Sequence, residues 1–404
     1  MRITIHRGTH QIGGCVTEIK TAQARIIIDM GAELPRADKT EQTALNLTGV
    51  TQGAPDCDGV FITHYHGDHV GMAERVLPSI PIYMGKAARE IYAVVQRTLK
   101  SKLGVGNPAL VDAFQTFEMG KPIFIKDIKI TPYSIDHSAF DAYMFLIEAE
   151  GKRILHTGDF RMHGAKGSKM PAVFGKYARN IDVLITEGTM LGRQGEKVIT
   201  EHELGRVATQ ILHENQNVFV LCSSTNIDTI AEFYSAAIAN KKPFIVCEDD
   251  FQLEILRVVT ANSQSPFYNF GRQKIYTYGS NLHDFMRARG FCFLGRTNYT
   301  TQKALEAFPD NVLIYSMWQG YLDKSHPAYD EYKSNFIERA VERGSRREYL
   351  HTSGHASAEQ LKQVCEITNA KTIIPIHSET PEAFLRLGIS GKVQLLQDGE
   401  SLIV

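Results

Sequence analysis

The chain has 404 residues, long for one hydrophobic core and ample for two, and its 44 Lys+Arg against 45 Asp+Glu leave a formal net charge of −1. A total so near zero does not by itself point to nucleic acid, though it hides local arrangement. No apolar segment is long enough for a secretion signal or a bilayer span, so a cytoplasmic protein with no membrane partner is expected, and six scattered cysteines without a C-x-x-C pair exclude a disulfide scaffold or a zinc ribbon.

Taken in chain order, short apolar runs repeatedly end in a residue able to bind metal. Residues 24–28, Ala-Arg-Ile-Ile-Ile, read as a buried strand followed by Asp29. That aspartate either forms the turn before Gly31 or orients a ligand histidine through its other ring nitrogen. Residues 59–63 predict the next strand, and it runs straight into His64-Tyr65-His66-Gly67-Asp68-His69. Four metal-capable side chains at a strand-to-turn junction have no use in packing, and imidazole with carboxylate suits zinc, singly or as a bridged pair. The Ile-rich segment 123–130 precedes His137, and 153–158 predict a strand closed by Asp159. Strands ending at one sheet edge can bring such residues to a single rim.

From 160 to 181 the chain has no acidic residue but carries Arg161, Lys166, Lys169, Lys176 and Arg179, either a phosphate-contacting stretch or a solvated loop. Residues 182–186 predict a strand ending at Glu187, a candidate functional acid or merely a cap on the following turn. Beyond about 192, strands (218–222, 243–247, 312–315) alternate with helices (227–239, 251–260), the pattern of a doubly wound α/β domain. Ser223, Ser224 and Asn226 sit between a strand and a helix, where they form either an ordinary N-cap or an anion cradle. Residues 347–350 read as a returning strand, Ser357 and Gln360 as a capping box opening a helix to about 365, and 372–376 as a last strand ending at His377.

The order Asp29, His64 to His69, His137 and Asp159 resembles the metallo-β-lactamase superfamily. Glu187 in Ile-Thr-Glu-Gly-Thr, His355 in Ser-Gly-His-Ala-Ser and His377 in Pro-Ile-His-Ser-Glu resemble three further motifs of its β-CASP branch, which contains ribonuclease J and other nucleic-acid hydrolases. The resemblance implies an α/β fold, an αββα sandwich over 1–191 and 347–404 with a doubly wound β-CASP domain inserted at 192–346. In that family the inserted domain caps the metal site and nucleic acid threads between the two. The longer ribonuclease J members carry a C-terminal domain beyond the last motif, which this chain, ending at Val404, is expected to lack.

The same resemblance assigns His64, His66 and His137 to one zinc ion and Asp68, His69 and His377 to a second, with Asp159 bridging them. Manganese or magnesium are alternatives for one or both. A hydroxide shared by two such ions would attack a phosphodiester. His355 would protonate the leaving oxygen, Glu187 would hold that imidazole charged, and Asp68 would serve the catalytic set as well as its ion. Ser353 and Ser357 look like the element that grips a 5′ phosphate in the ribonuclease J group. The expectation is a zinc-dependent exo- or endonuclease acting on RNA, with a homodimer allowed. A DNA-directed β-CASP nuclease, a small-molecule hydrolase of the wider superfamily, and a metal-free binding subunit are the alternatives.

Overall fold

Strands that are apolar at every position need cover on both faces, because successive side chains point to opposite sides. The strand Tyr143–Ala149 shows this directly: Tyr143, Phe145 and Ile147 enter one core while Met144 and Leu146 enter another. The computed structural model describes residues 1–35, 44–193, 195–196 and 198–404. Two units emerge. Met1–Leu34, the described residues between 44 and 196 and Gly354–Val404 build the first, and Val198–Ser353 is the bulk of the second.

The first unit holds two mixed sheets of seven strands. One runs, in spatial order, Ser401–Ile403, Arg2–Arg7, Val16–Lys20, Arg25–Ile28, Gly59–Phe61, Ile82–Gly85, Gln115–Phe117. The other runs Lys392–Val393, Thr372–Ile376, Val183–Glu187, Lys152–His156, Tyr143–Ala149, Ile128–Ser134, Ile123–Ile125. Ile3, Ile5, Ile26 and Ile28 from the first sheet share one core with Phe145, Ile147, Ile185 and Ile374 from the second, so the sheets stack face to face. Helices Met170–Tyr177 and Ala358–Thr368 cover the outer face of the second sheet through Phe174, Leu361 and Val364, and helix Lys86–Leu103 lies beside the strands Ile82–Gly85 and Gln115–Phe117. This is the expected αββα order.

The second unit is a six-stranded, wholly parallel sheet in the order Ile275–Thr277, Phe244–Val246, Phe291–Gly295, Asn217–Cys222, Asn311–Ser316, Ser345–Tyr349. Helix Ile227–Ala239 occupies the expected residues because the side chain of Asn226 caps it, accepting from Thr229 N. One expectation needs correction. The strand read at 347–350 spans Ser345–Tyr349 and pairs in parallel with Asn311–Ser316, so it is an edge of the inserted sheet, and the first unit resumes at Gly354. Segment 123–130 is a hairpin of two strands, broken where Lys126 takes a left-handed φ of 53°.

One carboxylate inside the first sheet links the fold to pH. Glu18 accepts from Arg25 Nη2 at 2.7 Å and Nε at 2.9 Å and lies 3.0 Å from His6 Nε2. Burial alone would raise its pKa, but the hydrogen bonds from His6 and Arg25 outweigh burial and bring it from 4.5 to about 2. A carboxyl depressed in the folded state stabilises above its unfolded pKa and loses that contribution as pH falls through the folded value. We expect the group to contribute on the order of 3 kcal/mol at neutral pH. Denaturant unfolding of Glu18→Gln should show that loss at pH 7 and converge on the unsubstituted protein as pH falls from about 4.5 to about 2.

Candidate metal centre

Every residue proposed as a metal ligand leaves a strand end or the first turn after one, all in the first unit. His64 and His66 follow Gly59–Phe61, and Asp68 and His69 lie in the single helical turn Gly67–Val70. His137 follows Ile128–Ser134, Asp159 follows Lys152–His156, and His377 follows Thr372–Ile376. Two of the strand-end residues adopt a backbone that side chains other than glycine rarely take: Asp29 has φ 63° and His377 has φ 51°. Such conformations cost of order 1–3 kcal/mol and persist where surrounding contacts impose them. Here they turn both side chains back towards the rim. Gly158, at φ 58°, lets the turn before Asp159 pass close over Thr63, where a Cβ would lie 2.9 Å from the threonine Cβ.

The donors gather into two groups, each with its ligand atoms within 4.8 Å of one another: His64, His66 and His137, and then Asp68, His69, Asp159 and His377. The Oδ2 of Asp159 lies 3.1 Å from His69 Nε2, 3.6 Å from His377 Nε2 and 4.0 Å from His64 Nε2. Hydrogen bonds on the far side of four of the rings settle which nitrogen faces inward. The Thr63 hydroxyl donates to Asp29 Oδ2 at 2.9 Å, so its oxygen accepts from His64 Nδ1–H at 3.1 Å. The Nε2 of His64 is then left fully buried with no partner among the described residues. His137 Nδ1 donates to the Gly354 carbonyl at 2.7 Å, and His69 Nδ1 lies 2.8 Å from Asp29 Oδ2. Thr189 donates its hydroxyl to the His377 carbonyl and accepts from His377 Nδ1–H at 2.7 Å, which turns Nε2 towards Asp68 Oδ2 at 3.3 Å.

Electrostatics match a cation-binding role. Burial, then the neighbouring imidazoles, pushes the pKa of His64 far below its usual value, and burial does the same to His137 and takes His66 to about 4. These rings are neutral donors at physiological pH. His69 goes the other way: burial lowers it, but Asp159 and Asp29 outweigh burial and raise it. A buried nitrogen lone pair without a hydrogen, beside carboxylates and neutral imidazoles, is a donor set that zinc fits.

Beside the second group stands His355, its Nδ1 3.0 Å from Glu187 Oε2 and its ring stacked on His377 with centroids 5.3 Å apart. Burial lowers its pKa, and the charges of Glu187 and Asp159 outweigh burial, so the net movement is upward. Glu187 also accepts from Phe160 N at 3.0 Å and Thr189 N at 3.3 Å, so it caps the following turn as well as facing His355. The side chain of His355 keeps 19% exposure, whereas His64, His69, His137 and His377 keep at most 4%.

The residues proposed as phosphate contacts fall in both units. Ser357 caps its helix, accepting from Gln360 N and donating to Glu359 Oε2 at 2.8 Å, while Ser353 is a buried residue of the second unit. Ser223 and Ser224, also in the second unit, line a pocket of about 220 Å³ with Arg296 and Lys333 beyond the carboxyl ends of the parallel strands, and Asn226 caps the adjoining helix.

The basic stretch needs correction at Arg161, which is fully buried: its backbone N–H donates to the Asp136 carbonyl at 2.8 Å and its Nε lies 3.9 Å from Asp136 Oδ1. The pair ties the loop bearing His137 to the loop bearing Asp159. Replacing Arg161 by alanine would leave the buried Asp136 carboxylate without this cation, accepting from the N–H groups of Gly164 and Lys166, and should cost about 3 kcal/mol in denaturant unfolding. Sequence reasoning also missed Thr63 and Thr189. Both lie within two residues of a candidate, and a hydroxyl at that spacing is the signal that could have flagged them.

Comparison with known proteins adds the following. Residues 24–203 match the beta-lactamase superfamily domain, and residues 341–385 match the Zn-dependent metallo-hydrolase RNA specificity domain. Ribonuclease J of Mycoplasma genitalium is 24% identical over 401 residues, covering 92% of this chain and 67% of that protein. Ribonuclease J of Helicobacter pylori is 22% identical over 460 residues, covering all of this chain and 61% of that protein. The chain thus spans about three-fifths to two-thirds of the length of these relatives. A crystal structure of a protein of unknown function from Enterococcus faecalis superimposes over 100% of this chain and 99% of its own, with a TM-score of 0.81 at 21% identity, a likeness of fold.

Proposed function

Because the chain belongs to the metallo-β-lactamase superfamily and carries the β-CASP-associated domain described for zinc-dependent metallo-hydrolases with RNA specificity, we propose that it hydrolyses phosphodiester bonds in single-stranded RNA. The observation that carries the reading is the pair of donor groups meeting at one carboxylate oxygen of Asp159, with the lone pair of His64 Nε2 buried beside it. His64, His66 and His137 would hold one zinc, and Asp68, His69 and His377 the other, with Asp159 shared. When bound, two such ions supply positive charge against a phosphate and bring the pKa of a water down towards neutrality.

The chain's own residues do the rest. Asp29, Thr63, Thr189 and the Gly354 carbonyl hold the tautomers of His69, His64, His377 and His137, so that little reorganisation remains when substrate arrives. Glu187 engages His355 at Nδ1, which leaves Nε2 as the atom that carries a proton to the departing oxygen. The remaining exposure of His355 fits a group that must touch substrate, whereas His64, His69, His137, Asp159 and His377 are buried. In the second unit, Ser223 and Ser224 beside Arg296 and Lys333 offer hydroxyls and positive charge suited to a backbone phosphate.

Incubating zinc-loaded protein with end-labelled RNA and DNA of one sequence tests the reading. RNA should be cut, chelator should stop the reaction and zinc should restore it. Protein holding two zinc ions that cuts neither polymer, yet hydrolyses a small ester or lactone, would overturn it.

A further inference from the structure

Cys15 lies in a loop with no evident metal motif, and by sequence it reads as a small hydrophobe. Its sulfur nevertheless falls within 4.8 Å of ligand atoms of both His69 and His377, a third group of donors that shares these two rings with the Asp68, His69, Asp159 and His377 group. The residue is 1% exposed, and among the described residues its sulfur makes no hydrogen bond, like that of Cys292, but only the Cys15 sulfur lies beside candidate ligand atoms. It is also pinned from both sides. The Cys15 N–H donates to the carbonyl of Asp68 at 3.1 Å, and its carbonyl accepts from Gly31 N at 3.0 Å. The same loop reaches the last ligand, because the Gly8 carbonyl accepts from His377 N at 2.7 Å and a Cβ on Gly8 would stand 3.1 Å from the Cys15 sulfur.

A buried thiol held by a backbone hydrogen bond to one candidate ligand, with its sulfur within 4.8 Å of ligand atoms of two others, has the placement of a donor. We propose that Cys15 is an additional sulfur ligand to the ion held by Asp68, His69 and His377. The inference rests on the two-ion reading given above. On binding, the thiol proton passes to solvent and the sulfur lone pair forms the bond to the ion, with no change of oxidation state. The consequence is selectivity: thiolate favours zinc, cobalt and cadmium over manganese and magnesium, so the two positions should differ in the metals they accept.

Cobalt(II) titration of the metal-free 404-residue protein separates this inference from the reading beneath it. The expected result is visible d–d absorption rising to two equivalents, together with a near-ultraviolet sulfur-to-cobalt charge-transfer band that Cys15→Ser loses while the d–d absorption stays. Two equivalents bound without the charge-transfer band, or a band that survives in Cys15→Ser, would overturn the role of Cys15 and leave the two-ion reading intact. Failure to bind a second equivalent would overturn both. Should Cys15→Ser not fold, X-ray absorption at the zinc edge of the unsubstituted protein reads the same bond, as a sulfur scatterer at about 2.3 Å, and its absence rejects the proposal.

Discussion

Asp159→Ala is expected to leave at most one metal ion per chain and to slow RNA cleavage by about three orders of magnitude or more. Replacing a group that merely orients a ligand typically costs about 10- to 100-fold in affinity or activity, and a carboxylate shared by two ions should exceed that. The geometry explains why this residue outranks the other candidates. Its Oδ2 faces His69 and His377 at 3.1 and 3.6 Å and His64 at 4.0 Å, so the single substitution removes the one donor that both groups approach. It also removes negative charge. His377, His69 and His355 hold the Asp159 carboxyl well below its usual range despite a burial that would raise it, so the aspartate is ionised among these rings. Elemental analysis of protein purified without chelator, alongside a cleavage assay, checks the prediction. Two ions retained, with activity within tenfold of the parent, would remove Asp159 from the shared position.

His355→Ala should separate chemistry from binding. Metal content should stay near that of the parent while cleavage falls by about two to four orders of magnitude, the scale of a positioned general acid. His355 also belongs to a group with Asp159, Glu187 and His377 whose ligand atoms lie within 4.8 Å of one another, so a ligand role is the competing reading. Loss of an ion together with activity would favour that reading. Glu187→Gln gives an independent check: it keeps the side-chain size and removes the charge that faces His355 Nδ1 at 3.0 Å. If Glu187 acts through the imidazole, the double substitution should be little worse than His355→Ala alone, whereas independent roles would multiply.

Much of the fold and of the site was legible because each strand carries its own signal. Runs such as 24–28 and 372–376 declare a buried strand, and the next residue in each case, Asp29 or His377, arrives at the rim. The helix Ile227–Ala239 and the capping box of Ser357 with Gln360 were readable for the same reason, since caps and periodicity act over a few residues. What was misread depended on partners far along the chain. Strand Ser345–Tyr349 has the local character of any strand, and nothing within it says whether its neighbour is Asn311–Ser316 or a strand of the other unit. Arg161 carries a charge that composition assigns to solvent, but Asp136 makes burial tolerable.

The sequence by itself therefore determined the His and Asp candidates and the strand ends that carry them, because strand and turn formation respond to side chains only a few positions apart. Tertiary structure alone decided what those donors meet. His137 obtains its tautomer from the carbonyl of Gly354, 217 residues away, and His377 from the hydroxyl of Thr189, 188 residues away. The same long-range packing brings the sulfur of Cys15 up to His69 and His377. A short-range code can place an imidazole at a rim, but the direction of its lone pair is set by whatever hydrogen-bond partner the folded chain brings behind the ring.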